Sequence, residues 1–347
     1  MTEQECLARM VAPGQVRPSK PYRGGVIQIH ITRACDKACN NCTQGSELAG
    51  KVEFMSPAHF EQAVLSLKGY FGVYGVFGGN PALSPHFGEY CEILRKHVPF
   101  EQRGLWCNHP RKWGKEMRAT FNPAVSNLNV HLDREAYEAF LRDWPEAHPV
   151  GLYQDSRHAP VHLAMKDVIA DEGKRWELIS TCDINQRWSA MIGVFRGELR
   201  AWFCEVAGAQ AILHQYEPDY PDTGLDPMMV CSPENPNAHL PTFLRTERGM
   251  DVYPLNSITA HMLLWWELPM RSFAHQVRKH CHECAVPLRG YGELAMATDG
   301  VEQTSATHAS IFKPKRPGRK FEIVTSLEQL GLGRIAHSTD YLGNAAR

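Results

Sequence analysis

The chain lacks a long apolar run. Its longest, around Ile258–Trp266, is far too short to span a bilayer and contains His261, so no membrane-spanning helix is expected. Charge of one sign is equally scarce. With 37 Lys and Arg against 38 Asp and Glu, the formal net charge is −1, which leaves no global field to draw the protein to nucleic acid or a membrane surface. A local basic patch is not excluded by that balance. Met1–Val16 carries acids and no apolar segment of the kind a secretory signal needs, so a cytoplasmic protein is expected. Internal repeats and low-complexity tracts are missing too. At 347 residues, 43% hydrophobic and 22% charged, the chain has the composition of a globular protein, with length for one large domain and a smaller appendage.

What is abundant is cysteine. Eleven in a chain without a secretory signal point to metal or cluster ligation in a reducing compartment, not to disulfides. Cys35, Cys39 and Cys42 form C-x3-C-x2-C directly after an alternating apolar strand, Val26–Ile31, and a second apolar strand, Val73–Phe77, runs into Gly78-Gly79-Asn80-Pro81. Three thiolates leave one metal position open to a ligand, and a glycine pair lets backbone approach that ligand. The cysteine spacing alone also fits a zinc site or unrelated core cysteines.

Taken together, the two motifs and their preceding strands resemble the radical S-adenosylmethionine (SAM) superfamily over roughly the first half of the chain. The resemblance implies that Cys35, Cys39 and Cys42 hold a [4Fe–4S] cluster whose fourth iron is chelated by SAM, with Gly78, Gly79, Asn80 and Pro81 at the SAM site. It implies reductive cleavage of SAM to a 5′-deoxyadenosyl radical, fed by an external one-electron reductant of flavodoxin or ferredoxin type. It also implies a partial (β/α)6 TIM-like barrel over residues 25–180. Two positions depart from the family pattern. Asn41 stands where members often carry an aromatic against adenine, and Asn80 stands where Glu is usual, keeping a carbonyl acceptor but not the charge. Asn108, Asn129, His131 and Arg157 are candidates for the missing polar contacts.

Periodicity supports an α/β reading. Ile27, Ile29 and Ile31 alternate with polar residues as in a strand, and Ser56-Pro57 caps a helical stripe of Phe60, Val64 and Leu67. Ser84-Pro85 starts a helix with Phe87, Cys91 and Leu94 on one face, and another runs through Tyr137, Phe140 and Leu141. Further strands are expected at Gly104–Cys107, Leu128–Leu132, Val161–Met165 and Trp176–Ile179, which would make a parallel sheet. Residues 1–24 read as a lead-in.

After Cys182 the rhythm changes. A hairpin is expected from Ala190–Phe195 and Leu199–Phe203 around Arg196-Gly197. An insertion, Tyr216–Pro241, a helix at Ile258–Glu267 and Cys281-His282-Glu283-Cys284 follow. The layout of Cys182, Cys204, Cys281 and Cys284 resembles the auxiliary-cluster module called twitch, a shortened SPASM domain. That implies a second [4Fe–4S] cluster in residues 181–300, with an insertion at 205–280 and a tail at 301–347. Four thiolates also satisfy zinc, and Cys231 is the substitute ligand. A fully ligated cluster suits electron transfer and hence a net oxidation. The basic run Lys313–Lys320 reads as a solvated loop.

The leading expectation is an oxidoreductase or isomerase that abstracts hydrogen from a small polar metabolite for oxidation, epimerisation or rearrangement. Single-cluster twitch domains resemble those of aminocyclitol dehydrogenases, so a carbohydrate, aminocyclitol or nucleoside is the substrate class. Asp133, His131 and Lys166 are candidates for a base. Cys107, at a strand's C-terminal end where a barrel's reaction chamber opens, is a candidate hydrogen-atom donor beside its plain reading as a buried thiol. Three alternatives stand. One is modification of a ribosomally made peptide, for which Met1–Gly24 is short as a leader-binding domain. Another is nucleobase or nucleic-acid modification, with Lys313–Lys320 on phosphates. The last is a zinc-stabilised binding protein without activity.

Overall fold

The computed structural model describes residues 1–15, 25–37, 39, 42–46, 48, 51–153, 162–187, 189–231, 239–240, 243–246, 249–252, 263–291, 301–309 and 320–330. It is a mixed α/β protein around a sheet of five strands, β1 (Val26–Thr32), β2 (Val73–Gly78), β3 (Arg103–Leu105), β4 (Ser189–Phe195) and β5 (Glu198–Trp202), in the order β3-β2-β1-β4-β5. The pairs β1–β2, β2–β3 and β1–β4 are parallel, and β4–β5 is an antiparallel hairpin. Every residue of β1 is buried, Gln28, His30 and Thr32 included, because parallel strands are covered on both faces. Arg196 and Gly197 both take positive φ, 51° and 85°, the turn whose twist matches a two-residue hairpin.

Helices fill the crossovers. α1 (Glu3–Arg9) precedes the sheet, α2 (Pro57–Leu65) follows β1, α3 (Phe87–His97) follows β2, and α4 (Gly114–Thr120) and α5 (Arg134–Asp143) follow β3. Ser56 caps α2 by accepting from the His59 N–H, with Pro57 at the first helical position, as the serine–proline signal predicts. Phe87, Cys91 and Leu94 are buried along α3. The lead-in is more than a lead-in, since α1 buries Cys6 in the core.

Beyond β3 the expected strands shrink or change type. At Leu128–Leu132 only isolated parallel bridges remain nearby, Trp106–Asn127 and Asn129–Val150. His131 and Leu132 take positive φ, 49° and 64°, which ends the extended run before Asp133 caps α5. Val161 lies outside the described residues. Around it, the His162 carbonyl accepts from Thr304 Oγ1 and the Ala164 N–H donates to Ser305 Oγ, both at 2.9 Å, in place of a ladder, and Met165 already starts α6 (Met165–Val168). Trp176–Ile179 is not a strand but part of α7 (Glu172–Ser180). Asp171 caps it at the Lys174 N–H, and Trp176, Ile179 and Ser180 bury one face at helical spacing. A short apolar run does not by itself distinguish the two.

α8 (Asp183–Arg187) leads into β4, and α9 (Glu205–Leu213) leaves β5 and packs against β4. The helix expected over Ile258–Glu267 is not formed in its described part. Leu263–Leu264 pairs antiparallel with Val230–Cys231, and Trp265–Glu267 is a single 3-10 turn. α10 (Ala274–His280) then delivers Cys281. Among the described residues no helix is long and apolar enough to cross a membrane.

Candidate metal centres and the active-site cleft

The three-cysteine loop leaves the end of β1 and folds back over the end of β2. The Gly79 N–H donates to the Thr32 carbonyl at 2.9 Å and the Asn80 N–H to the Ala34 carbonyl at 2.6 Å. A Cβ on Gly78 would lie 2.4 Å from the Thr32 oxygen. One on Gly79 would lie 2.3 Å from the Ala34 oxygen and 2.8 Å from Cys35 Cβ. The glycine pair is therefore required by the approach of the cysteine loop itself, whatever ligand it also admits. Both residues between Cys35 and Ala38 are tied down: Asp36 pairs with Arg111, and Lys37 pairs with Asp133. The Lys37 backbone N–H and Asn108 Nδ2 both donate to Cys35 Sγ, at 3.4 and 3.3 Å, contacts that favour a thiolate. His162 donates from Nε2 to the Cys42 carbonyl at 2.9 Å.

Cys35, Cys39 and Cys42 line one open cleft of about 740 Å³ together with Gly78, Gly79, Cys107, Asn108, Asn129 and His131. Two carbonyl oxygens in its wall, Asn108 Oδ1 and Gln44 Oε1, are buried without a partner. Such acceptors are costly unless a ligand's N–H groups meet them. Three thiols beside two unpartnered acceptors fit a cluster whose open iron carries an amine-bearing ligand.

Other expected residues are committed elsewhere. Asn80 is fully buried and its Oδ1 accepts from the Ala82 N–H at 3.1 Å, capping the 3-10 turn Pro81–Leu83, and from the Cys107 thiol at 3.2 Å. Asn80 and Pro81 thus shape the loop from behind the cleft. Asn41 and Arg157 lie outside the described residues. Asp133 is the α5 cap. Burial opposes its ionisation, but the hydrogen bonds from Lys37 and the Ala136 N–H outweigh that and hold it below the ordinary aspartate range, which suits a structural anion better than a proton acceptor. Lys166 pairs with Glu283 at 2.8 Å. Burial pushes the Cys107 thiol up to about 12, so it keeps its hydrogen.

The four remaining expected ligands also come together. Cys182 follows α7, Cys204 caps α9, Cys281 ends α10 and Cys284 lies one turn on, and all four line one small cavity. Gln276 of α10 holds the chain that delivers Cys204: its Oε1 accepts from the Phe203 N–H at 3.0 Å, while its Nε2 donates to the Ala201 and Thr223 carbonyls at 3.1 and 2.9 Å. Asn185 brackets the Val11 backbone with two 2.9 Å hydrogen bonds, which seats the segment after α1 over the cavity beside Met10. Burial first, then the neighbouring thiols, push Cys204 and Cys281 well above the ordinary thiol range, so four thiolates here require a compensating cation. Among the described residues no three His, Cys, Asp or Glu side chains converge on a single ion position. Four thiols lining one cavity suit zinc as well as a polynuclear cluster. Cys231 pairs through its backbone with Leu263 and His239 in a small separate sheet.

Two residues escaped the sequence reading. Glu205, 1% exposed, is the first residue of α9 and lines the three-cysteine cleft, while its neighbour Cys204 lines the four-cysteine cavity. A carboxylate is favoured at a helix N-terminus, and only its position against Cys204 could have flagged it. His280, next to Cys281, lines the four-cysteine cavity.

No family model and no curated protein matches the chain. Among solved structures it is similar to BtrN in complex with AdoMet and 2-DOIA, at 13% identity and a TM-score of 0.35, over 56% of this chain and 83% of that one. A likeness that distant decides neither fold nor chemistry, which rest on the geometry above.

Proposed function

We propose that this protein is a radical SAM enzyme, with a partial TIM-like barrel and a twitch-like auxiliary module, that abstracts hydrogen from a small polar substrate. The observation that carries the reading is the cleft, which joins the three loop thiols to the unpartnered Asn108 and Gln44 carbonyls. Cys35, Cys39 and Cys42 would hold one [4Fe–4S] cluster, and Cys182, Cys204, Cys281 and Cys284 the other. When bound, the first cluster supplies the electron that cleaves SAM to methionine and a 5′-deoxyadenosyl radical.

The chain's own residues do the rest. Asn108 and Gln44 offer acceptors to the amino groups of SAM, in place of the acid the family usually carries at position 80. Asn129, His131 and Asn127 add hydrogen-bonding groups to the cleft, as a hydroxyl- or amine-bearing substrate requires. Glu205 is the base for a net oxidation, receiving the proton that the substrate gives up alongside its electron. Cys107, kept as a thiol, is the hydrogen donor of a redox-neutral outcome, and the thiyl radical it leaves would take one electron from the external reductant and one proton from solvent to become a thiol again. The electron source is an external flavodoxin- or ferredoxin-type protein.

The test is anaerobic reconstitution with iron and sulfide, then SAM and dithionite. Iron–sulfur absorbance and 5′-deoxyadenosine are expected, with cleavage abolished in Cys35→Ala. A colourless zinc-loaded protein without cleavage would contradict the proposal. Glu205→Gln should keep SAM cleavage and lose substrate turnover; full turnover in that variant would remove Glu205 from the role.

A further inference from the structure

His280 is 2% exposed and lines the four-cysteine cavity, directly before Cys281. Its Nε2 lies 2.8 Å from Thr223 Oγ1, and its Nδ1 is buried without a partner. The protonation of the ring follows from Thr223. That hydroxyl already accepts from Trp202 Nε1 at 3.3 Å, and His280 Nε2 is the remaining group within reach of its own hydrogen. If Nε2 carried the proton instead, the threonine hydrogen and the Nδ1 lone pair would both be buried unmet, and each orphan costs on the order of 1–3 kcal/mol. The arrangement with fewer orphans has Thr223 donating to Nε2, which places the imidazole hydrogen on Nδ1.

One donor is then left in the cavity wall with nothing to bond. Thiolates and cluster sulfides are acceptors, and hydrogen bonds to them are among the quantities that set a cluster's potential. We infer that His280, fixed in its Nδ1–H form by Thr223, donates a hydrogen bond to the sulfur of the cluster held by Cys182, Cys204, Cys281 and Cys284, and thereby raises that cluster's reduction potential. The inference rests on the proposed second cluster. Within it, His280 is a positioning and tuning residue that touches no substrate.

The experiment uses the full-length protein with Cys35, Cys39 and Cys42 all changed to Ala, so that one cluster remains to be titrated. The midpoint potential is read by EPR-monitored redox titration, with and without His280→Phe. Loss of the hydrogen bond should disfavour reduction about tenfold, a drop of about 59 mV for one electron. His280→Leu, which removes the same donor with a smaller apolar side chain, should lower the potential by the same amount. A proton coupling to the cluster in ENDOR spectra should be lost in His280→Phe. If His280→Phe does not retain the cluster, His280→Leu carries the test alone. An unchanged potential in a variant that keeps its cluster overturns the inference and leaves the second cluster standing. Absence of iron in the triple-alanine protein overturns the second cluster itself.

Discussion

The two groups of cysteines sit in different surroundings, although Cys182 and Cys281 are part-buried like the three loop thiols. The three-cysteine loop borders an open cleft, and its backbone is anchored by ion pairs whose side chains remain partly exposed, 20% and 24% for Lys37 and Asp133. The four-cysteine cavity is lined mostly by buried groups, Asn185, Gln210 and His280 among them, with the segment after α1 laid across it. An open site that must exchange ligands tolerates a polar, partly wet rim. A site that only holds a cluster is best sealed, since exposure and hydrogen bonding to sulfur set its potential. Cys204 and Glu205, adjacent in sequence, face one environment each.

The sharpest way to separate the two is to remove one. Changing Cys35, Cys39 and Cys42 to Ala should abolish SAM cleavage and lower bound iron by about half, whereas Cys204→Ala should leave cleavage in place and lose the other half. Iron analysis and 5′-deoxyadenosine assays read both, and iron unchanged in Cys204→Ala would collapse the comparison. Next in size is Gly79→Ala, whose Cβ would meet the Ala34 oxygen at 2.3 Å. It should cost about 1–3 kcal/mol of local strain and cost the loop its cluster while the sealed site stays loaded.

Gln276→Leu acts on the other side. It leaves the Phe203 N–H and two carbonyls without partners, a loss of about 1–3 kcal/mol, so the melting temperature and the auxiliary iron should fall with SAM cleavage retained. Smallest is Lys37→Ala, worth under about 1 kcal/mol because the pair is partly exposed. The Asp133 carboxyl is held below its ordinary value. The pair's contribution is therefore present above the unfolded pKa of about 3.9 and lost as pH falls below it. A stability difference between Lys37→Ala and the parent that grows on acidification would contradict that assignment.

Much of this was legible because it is local. Ser56-Pro57 needs one turn and Arg196-Gly197 needs one hairpin, and each forms where the residues place it. The later strands were not legible. At Leu128–Leu132 the left-handed His131 and Leu132 end the extension. At Trp176–Ile179 the apolar spacing fits a helix as well as a strand, and the Asp171 cap decides. Asn80 illustrates a second limit. Its residue type fits a ligand contact, yet its amide is taken by Ala82 and Cys107. Glu205 and His280 were hidden for a third reason, since their significance lies in which cavity they line.

The central claim is that one cluster site is open to SAM and the other is closed to it. EPR spectra of the reduced protein, recorded with and without SAM, test it directly when the parent is compared with the variant lacking Cys35, Cys39 and Cys42. SAM should perturb the spectrum of the parent and leave the remaining signal of the variant unchanged. A signal in the variant that still shifts with SAM, or a parent whose spectrum does not, would contradict it.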